Sequence, residues 1–324
     1  MTYLFGLRRL AAASALAIGI ALGGLPAIAL DNLTIIAPAK PGGGWDQTAR
    51  SMQAVMQDSG IAKAITVENV PGAGGAVGLA ELADKYNGNA GTLMVGGLVM
   101  VGAVITNNSP VKLDAVTPVA RLTGEYEVLV VPASSDIKSL ADLIAAFKAD
   151  PGSVAWGGGS AGGTDHILAG LIAKASGVPG DKVNYVPFSG GGEALAAIMG
   201  GHVKVGVSGL GEWIGQIKSG ELRAIAISAP SRLEGVDIPT LKEQGVDVDL
   251  ANWRGVMGAP GLDDAGKKAL VDAVDQMAKS DGWKKVLAEK GWMDIYMSGD
   301  DFGKFLAEEN IRVTETLKQI GLVK

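Results

Sequence analysis

Short apolar runs recur along this chain, each closed by glycine and followed by a stretch of helical periodicity. Residues 34–37 (Thr-Ile-Ile-Ala) read as a buried strand, stopped by Pro38 and by Pro41-Gly42-Gly43-Gly44. From about Asp46 to Gln57, apolar residues return at helical spacing. The order repeats with a strand at 65–69, a glycine turn at 71–75 and a helix at 76–85, and a third strand at 92–95 ends in Gly96-Gly97. Strand, glycine turn and helix in alternation predict βαβ units and mainly parallel sheets.

The pattern restarts after residues 119–122. Strands are predicted at 127–131, 153–156, 183–186, 203–207 and 224–228. Helices are predicted at 139–149, 166–176 and 193–199, with Ser139 placed to cap the first and Asp142 in its first turn. The tail is helical at 263–280 and 299–321. Such a restart predicts two similar α/β domains.

The first residues form a separate unit. Arg8 and Arg9 precede an apolar stretch from Leu10 to Leu25; Pro26 breaks it, and Ala27-Ile28-Ala29 has the small-x-small form that a signal peptidase cleaves. A membrane-spanning helix needs about 20 apolar residues, more than this glycine-flecked core supplies. Residues 1–29 are therefore expected to be an export signal removed after Ala29. No cysteine follows to take a lipid.

Composition narrows the chemistry. Of 28 basic residues the leader holds two, which leaves 26 against 34 acidic residues and a formal charge of −8. With no basic block, nucleic acid is not an expected partner. An acidic chain that binds an anion must do so with local donors rather than its overall field. Cysteine is absent, which removes disulfides and thiolate chemistry. The two histidines, His166 and His202, belong to no metal-spaced motif, so neither a metal nor a cofactor is expected.

The glycine loops carry the candidate site. In a parallel sheet such loops lie at the carboxyl edge of the strands, where ligands bind. The first turn of each following helix offers unpaired N–H donors and a partial positive charge, which suit a carboxylate or phosphate. One loop alone is most simply a tight turn; three at equivalent positions in two domains point to a shared anion site. Two enzyme motifs also match. Gly157, Gly159 and Gly162 have dinucleotide-fingerprint spacing, but Asp181 precedes the next strand instead of ending it. Gly158, Ser160 and Gly162 match a nucleophile elbow, with Asp181 and His202 following in hydrolase order over a compressed interval. A serine hydrolase is thus an alternative to a binding protein.

The motifs taken together resemble a known family. Residues 37–50 (APAKPGGGWDQTAR), 67–75 (VENVPGAGG), the glycine run ending in His166-Ile167-Leu168-Ala169, 186–191 (VPFSGG), 239–245 (PTLKEQG) and Trp253-Arg254-Gly255 resemble, in order, the substrate-binding proteins of tripartite tricarboxylate transporters, the Bug or TctC family. The resemblance spans essentially the whole chain after the leader. It implies a two-lobed α/β periplasmic binding protein of type II-like fold, with lobe 1 at 30–131 plus 253–324, lobe 2 at 132–252 and the ligand cleft between them. It implies a monomer that catalyses nothing and delivers a small carboxylate to membrane permease subunits. A sensor that binds a dicarboxylate or other carboxylate is an alternative role.

Carried onto this chain, the resemblance implies ligand contacts from Gly43, Gly44, Trp45, Asp46 and Thr48 on one side. From the other side come Ser160, Gly162, Gly163, Thr164, Asp165 and His166, with Pro187, Phe188, Ser189 and Gly190. Phe188 and Ser189 stand where the family commonly has Tyr and Lys, and Thr164 places its hydroxyl one position late. The wording of the first loop favours a tricarboxylate such as citrate. Lys40, Arg50 and Arg254 are the cations near matched motifs, each also explicable as solvated or structural. Asp46 equally suits a helix-capping role, and His166 a structural bond at a helix start.

Overall fold

A computed structural model describes residues 30–324; the expected leader, 1–29, lies outside them. Ten strands run as β1 (Leu30–Ala37), β2 (Ala62–Asn69), β3 (Thr92–Gly97), β4 (Thr117–Pro132), β5 (Trp156–Gly158), β6 (Tyr185–Pro187), β7 (Val205–Gly209), β8 (Leu222–Ile227), β9 (Ala251–Gly258) and β10 (Met293–Ser298). The helices are α1 (Gly44–Asp58), α2 (Ala76–Lys85), α3 (Leu98–Thr106), α4 (Leu140–Ala149), α5 (Thr164–Ala175), α6 (Gly191–Met199), α7 (Leu210–Ser219), α8 (Asp264–Lys279), α9 (Asp281–Lys290) and α10 (Gly299–Gln319).

Two sheets share one strand. In the first, the order β2-β1-β3-β9-β4 places parallel β2, β1 and β3 beside antiparallel β9 and the first part of β4. Strand β10 pairs antiparallel with that same part of β4. In the second sheet the later part of β4 lies between antiparallel β7 and β8, and β5 continues parallel to β7 and β6. Strand β4 changes partners at one point: Tyr126 pairs with Ala251, whereas Glu127 pairs with Gly209. The chain returns beside this point, where the Leu250 N–H bonds the Ser228 carbonyl and Ala251 opens β9.

The two-lobed α/β class is as the alternation implies. The sheets, however, are mixed rather than mainly parallel. The parallel pairs are the βαβ units visible in sequence; the antiparallel pairs come from β4, β9 and β10, whose partners are distant in the chain. Residues 119–122 and 127–131 also belong to one 16-residue strand. Its buried positions include Val119, Leu122, Val128 and Val130, and irregularities in its pairing fall at Pro118/Ala120, Arg121/Thr123 and Leu129/Val130.

Most helices fall where the periodicity places them. Ser139 caps α4 by accepting the Asp142 N–H at 3.2 Å, and Asp263 caps α8 by accepting that of Gly266 at 2.7 Å. Helix α3 has no counterpart in the periodicity. Its sequence, LVMVGAVIT, is apolar all round and packs mostly buried, so it shows no stripe to read. Gly102 on α3 lies against the Gly162 carbonyl of the second lobe, a contact that any Cβ would block. Among the described residues no helix is long and apolar enough to cross a membrane.

Candidate functional site

The glycine loops converge on a cleft of about 350 Å³ between the two sheets. The first loop follows β1. Gly42 adopts a left-handed φ of +89°, which turns its N–H onto the Asp46 carboxylate at 2.9 Å. Asp46 also accepts from Arg50 Nε at 3.0 Å and Asn69 Nδ2 at 2.9 Å. Burial works to raise the Asp46 carboxyl, but these donors together hold it below the usual range. Thr48 turns inward and donates to the Gly44 carbonyl at 2.9 Å. Asp46 and Thr48 therefore organise the loop and do not line the cleft, whereas Gly43, Gly44 and Trp45 do.

The third loop runs from β5 to α5. Asp165 reaches back to accept the Gly159 N–H at 2.5 Å. His166 accepts the Gly162 N–H on Nδ1 at 3.1 Å and stacks on Tyr185 with centroids 4.1 Å apart. Burial lowers its imidazole to about 4, so it is neutral and able to accept that bond. Thr164 is buried and donates to Asn252 Oδ1 at 3.1 Å. Gly162 and Gly163 pack against Thr106 and Val99 of α3. Of this segment Ser160, Ala161 and Asp165 line the cleft; Gly162, Gly163, Thr164 and His166 are turned to internal contacts instead.

From β6 to α6, Pro187, Phe188, Ser189, Gly190 and Gly191 form a further wall. The Phe188 N–H bonds the Gly158 carbonyl at 2.8 Å, and the Ser189 N–H bonds the Glu193 carboxylate at 3.0 Å. Glu193 also pairs with Lys40 of the first loop. The turn at Pro71 to Gly74 lines the cleft too. A Cβ on Gly74 would lie 3.3 Å from that of Ser160, so glycine permits close approach of the two lobes there.

The floor holds residues that no single motif exposes. Arg254, on β9, is buried and pairs with Glu125 of β4, while its Nη2 lies 3.7 Å from Glu212 of α7. Its guanidinium rests against Gly44, where a Cβ would collide with it, and lies 5.3 Å from the centre of the Trp292 ring. Two carboxyls, Glu125 and Glu212, lie within ion-pair distance of Arg254, and the buried Glu127 and Asp165 feel its charge as well. Burial, reinforced by Glu125, pushes Glu212 up to about 8, with Arg254 and the Gly191 N–H opposing. Burial also pushes Asp165 up to about 6 against the Gly159 N–H. Glu127 is raised well above the carboxylate range by burial, then by Asp165 and Glu125. Both oxygens of Glu127, and Oε2 of Glu125, are buried without a hydrogen-bond partner.

Arg254 had a sequence signal as a cation in a matched motif. Glu212, Ser208 and Asn252, which line the cleft, and Glu125, which pairs with Arg254 behind it, had none, because each comes from a different element. Ser160 lines the cleft, but the other members of the sequence-level triad do not. Asp181 lies beside Gly321 and His202 beside Gly200, both exposed. Among the described residues no group of three His, Cys, Asp or Glu side chains has a metal-binding arrangement.

Two α/β lobes joined by crossing strands, with glycine loops and a buried arginine facing one cleft, define a two-lobed solute-binding protein. The whole described chain superposes on proteins of that class. A solved periplasmic binding protein, BugD, matches with a TM-score of 0.80 at 17% identity, covering 90% of this chain and 98% of that one. MatC from Rhodopseudomonas palustris with bound malate matches with a TM-score of 0.79 at 24% identity, covering 89% and 99%. Another R. palustris protein, solved with adipate, gives 0.81 at 23% identity, covering 90% and 97%.

The family model for the tripartite tricarboxylate transporter family receptor, TctC, matches residues 48–322, and the chain belongs to that family. Protein BugT of Bordetella pertussis is 29% identical over 295 residues, 89% of each chain.

Proposed function

We propose that this protein is a periplasmic receptor that captures a small carboxylate between its lobes and presents it to the membrane permease subunits of a tripartite tricarboxylate transporter. The observation that carries this reading is Arg254, among the described residues the one cationic side chain lining the cleft, set against the first turn of α1 at Gly44. The guanidinium and the open N–H groups of that turn converge, and a carboxylate placed there meets charge-assisted donors from both. Malate and adipate, held by two structural neighbours, are small carboxylates. Export with cleavage after Ala29, and action as a monomer, complete the proposal. The exchange of β4 partners between Tyr126 and Glu127 and the return of the chain at Ala251 support a division into lobes near the crossings expected at Pro132 and Asn252.

Citrate is the ligand that the sequence wording favours. One cation is little for a trianion, and this cation already has a carboxylate partner, so a carboxylate of lower charge fits better. Thermal-shift titration with citrate, malate, succinate, adipate and simple monocarboxylates tests the reading, because a ligand held only by the folded state raises the melting temperature. At least one carboxylate is expected to stabilise the protein, and Arg254→Gln, combined with Glu125→Gln to leave no unpaired charge, is expected to weaken it by about tenfold or more. Stabilisation by uncharged solutes alone would reject the reading.

A further inference from the structure

Helix α10 begins on one lobe and ends on the other. Its first half packs on the first sheet. Phe302 and Phe305 meet the Trp253 ring edge-on, with centroids 6.0 and 5.2 Å away, and the Trp253 indole N–H donates to Glu309 at 2.9 Å. Its last turn seats on α5 of the second lobe. Ile320 is 1% exposed there. A Cβ at Gly170, in the middle of α5, would lie 2.8 Å from the Ile320 Cδ1, and one at Gly180 would collide with the Ile320 carbonyl. Lys174 of α5 donates to Gln319 Oε1 at 2.8 Å. Gly321 turns the chain with a left-handed φ of +75° and lies beside Asp181. Helix α3 continues the same seam towards the cleft, with Gly102 and Thr106 against Gly162 and Val99 against Gly163.

The two faces of the second sheet are joined to the first lobe in different ways. On the α5 face the apolar core runs on without interruption. Leu129 of β4, Phe147 of α4 and Ile172 of α5 belong to one core with Val104 of α3 and with Leu317 and Ile320 of α10. On the other face Val128, Val130, Ile198 and Trp213 form a core of their own beneath α6 and α7. The contacts of that face with the first lobe involve polar groups. Lys40 pairs with Glu193 of α6, both about half exposed at the mouth. Arg254 lies 3.7 Å from Glu212 of α7, and Gly211 faces the Lys290 carbonyl. Parting an apolar seam costs free energy in proportion to the area it wets, whereas an ion pair at the mouth exchanges its partner for water at little cost.

We infer that the last turn of α10 is a fixed anchor for the second lobe, seated on α5 with or without a ligand, so that the cleft opens on the α6 and α7 side. The lobes then turn about the crossing strands β4 and β9 and this anchor together, instead of about the strands alone. Asp165 lines the cleft five residues before the seat at Gly170, so the anchor holds that wall at a fixed place against the first lobe. The wall that moves is the one at residues 187–191 with Glu193. The inference rests on the two-lobed class and not on the identity of the ligand.

Hydrogen exchange read by mass spectrometry, with and without the carboxylates of the thermal-shift series, tests this in the unaltered protein. The amides of Ile320, Gly321 and Leu322 bond back into the last turn of α10, and an unanchored helix end would exchange them at nearly the rate of an open chain. In the ligand-free protein they are expected to exchange about 100-fold or more slowly than that. Ligand is expected to slow exchange at 187–193 and to leave 317–322 unchanged. Fast exchange at 317–322 without ligand overturns the inference. So does slowing there on binding, or binding that leaves 187–193 unchanged.

A chain without cysteine permits a second test. The Asp181 Cβ lies 3.5 Å from where a Cβ on Gly321 would stand, within disulfide range, and neither residue lines the cleft. Asp181→Cys combined with Gly321→Cys, once oxidised, cannot release the anchor. Its affinity for a carboxylate is expected to stay within about twofold of that of the reduced form. A larger loss on oxidation, recovered on reduction, would show that the turn leaves α5 when the cleft opens, and would sink the inference. Should the pair fail to fold or to close, the exchange pattern decides. Should no carboxylate bind, the carboxylate reading fails, and the exchange rates of the ligand-free turn still decide for or against the anchor.

Discussion

At the residue scale the cleft depends on how closely one side chain approaches one glycine. Arg254 lies against Gly44 so tightly that a Cβ there would displace its guanidinium. The displaced group would leave Glu125 buried and unpaired, which costs more than the contact itself. Gly44→Ala is therefore expected to destabilise the protein by about 1–3 kcal/mol in urea unfolding. Its neighbour is the control. Gly43 has an ordinary extended backbone, and a Cβ there would meet the Lys40 carbonyl at 3.6 Å and the Ala39 Cβ at 4.0 Å, both ordinary contacts. Gly43→Ala is expected within about 0.5 kcal/mol of wild type. Equal losses at both positions would show that Arg254 is not held as described. Nothing in the run Gly42-Gly43-Gly44 distinguishes the three glycines, because the distinction is made by a side chain 210 positions away.

At the element scale the contrast lies between helices with a visible stripe and those without. Helix α1 carries alternating exposed and buried positions, and its start and end are legible to within a turn. Helix α3 is buried on most sides, and β10 and α9 lie between the two tail helices that the periodicity picks out. The start of α5 illustrates the limit for side chains. Thr164 is a reasonable ligand donor by position, yet its hydroxyl ties α5 to β9 through Asn252. Thr164→Val keeps the shape, removes that bond and leaves a buried amide oxygen unpaired. A loss of about 1–2 kcal/mol in unfolding free energy is expected, with ligand affinity changed less than by Arg254→Gln combined with Glu125→Gln. A loss of affinity without loss of stability would return Thr164 to the ligand's contacts.

At the scale of the whole molecule, the acidic floor couples lobe packing to pH. A carboxyl raised on folding stabilises the protein below its unfolded pKa, and that stability is lost as pH rises through its folded pKa. For Glu212 the window runs from the ordinary carboxylate value of 4.5 to about 8. Asp165 acts over the lower part, from 3.8 to about 6. His166 has the opposite sign, adding stability as pH rises from about 4 to 6.5. Between pH 6.5 and 8 the Glu212 contribution is therefore the least masked. Unfolding free energy in the absence of ligand is expected to fall by about 1–2 kcal/mol over that interval, and Glu212→Gln to make the fall shallower. Glu127, raised in the same direction, retains part of the slope in the variant. Identical slopes in the two proteins would remove Glu212 from this role.

By itself the sequence determined the local units. Period-two and period-3.6 patterns record which face of an element is buried, and glycine and proline mark where elements stop, so the βαβ runs, the glycine loops and the two-lobed plan were all legible. The family resemblance implied a larger set of ligand contacts, of which Gly43, Gly44, Trp45, Ser160, Asp165 and residues 187–190 line the walls of the cleft. Tertiary structure alone decided what lies between those walls. Strand β4 carries Glu125 and Glu127 across the junction, β9 brings back Arg254, and α5 and α7 add Asp165 and Glu212. No local pattern encodes that meeting, because burial periodicity reports a residue's own environment and not the partner that supplies it. The loops announce an anion in sequence; the charged floor, assembled from β4, β9, α5 and α7, is what sets a buried cation among carboxyls.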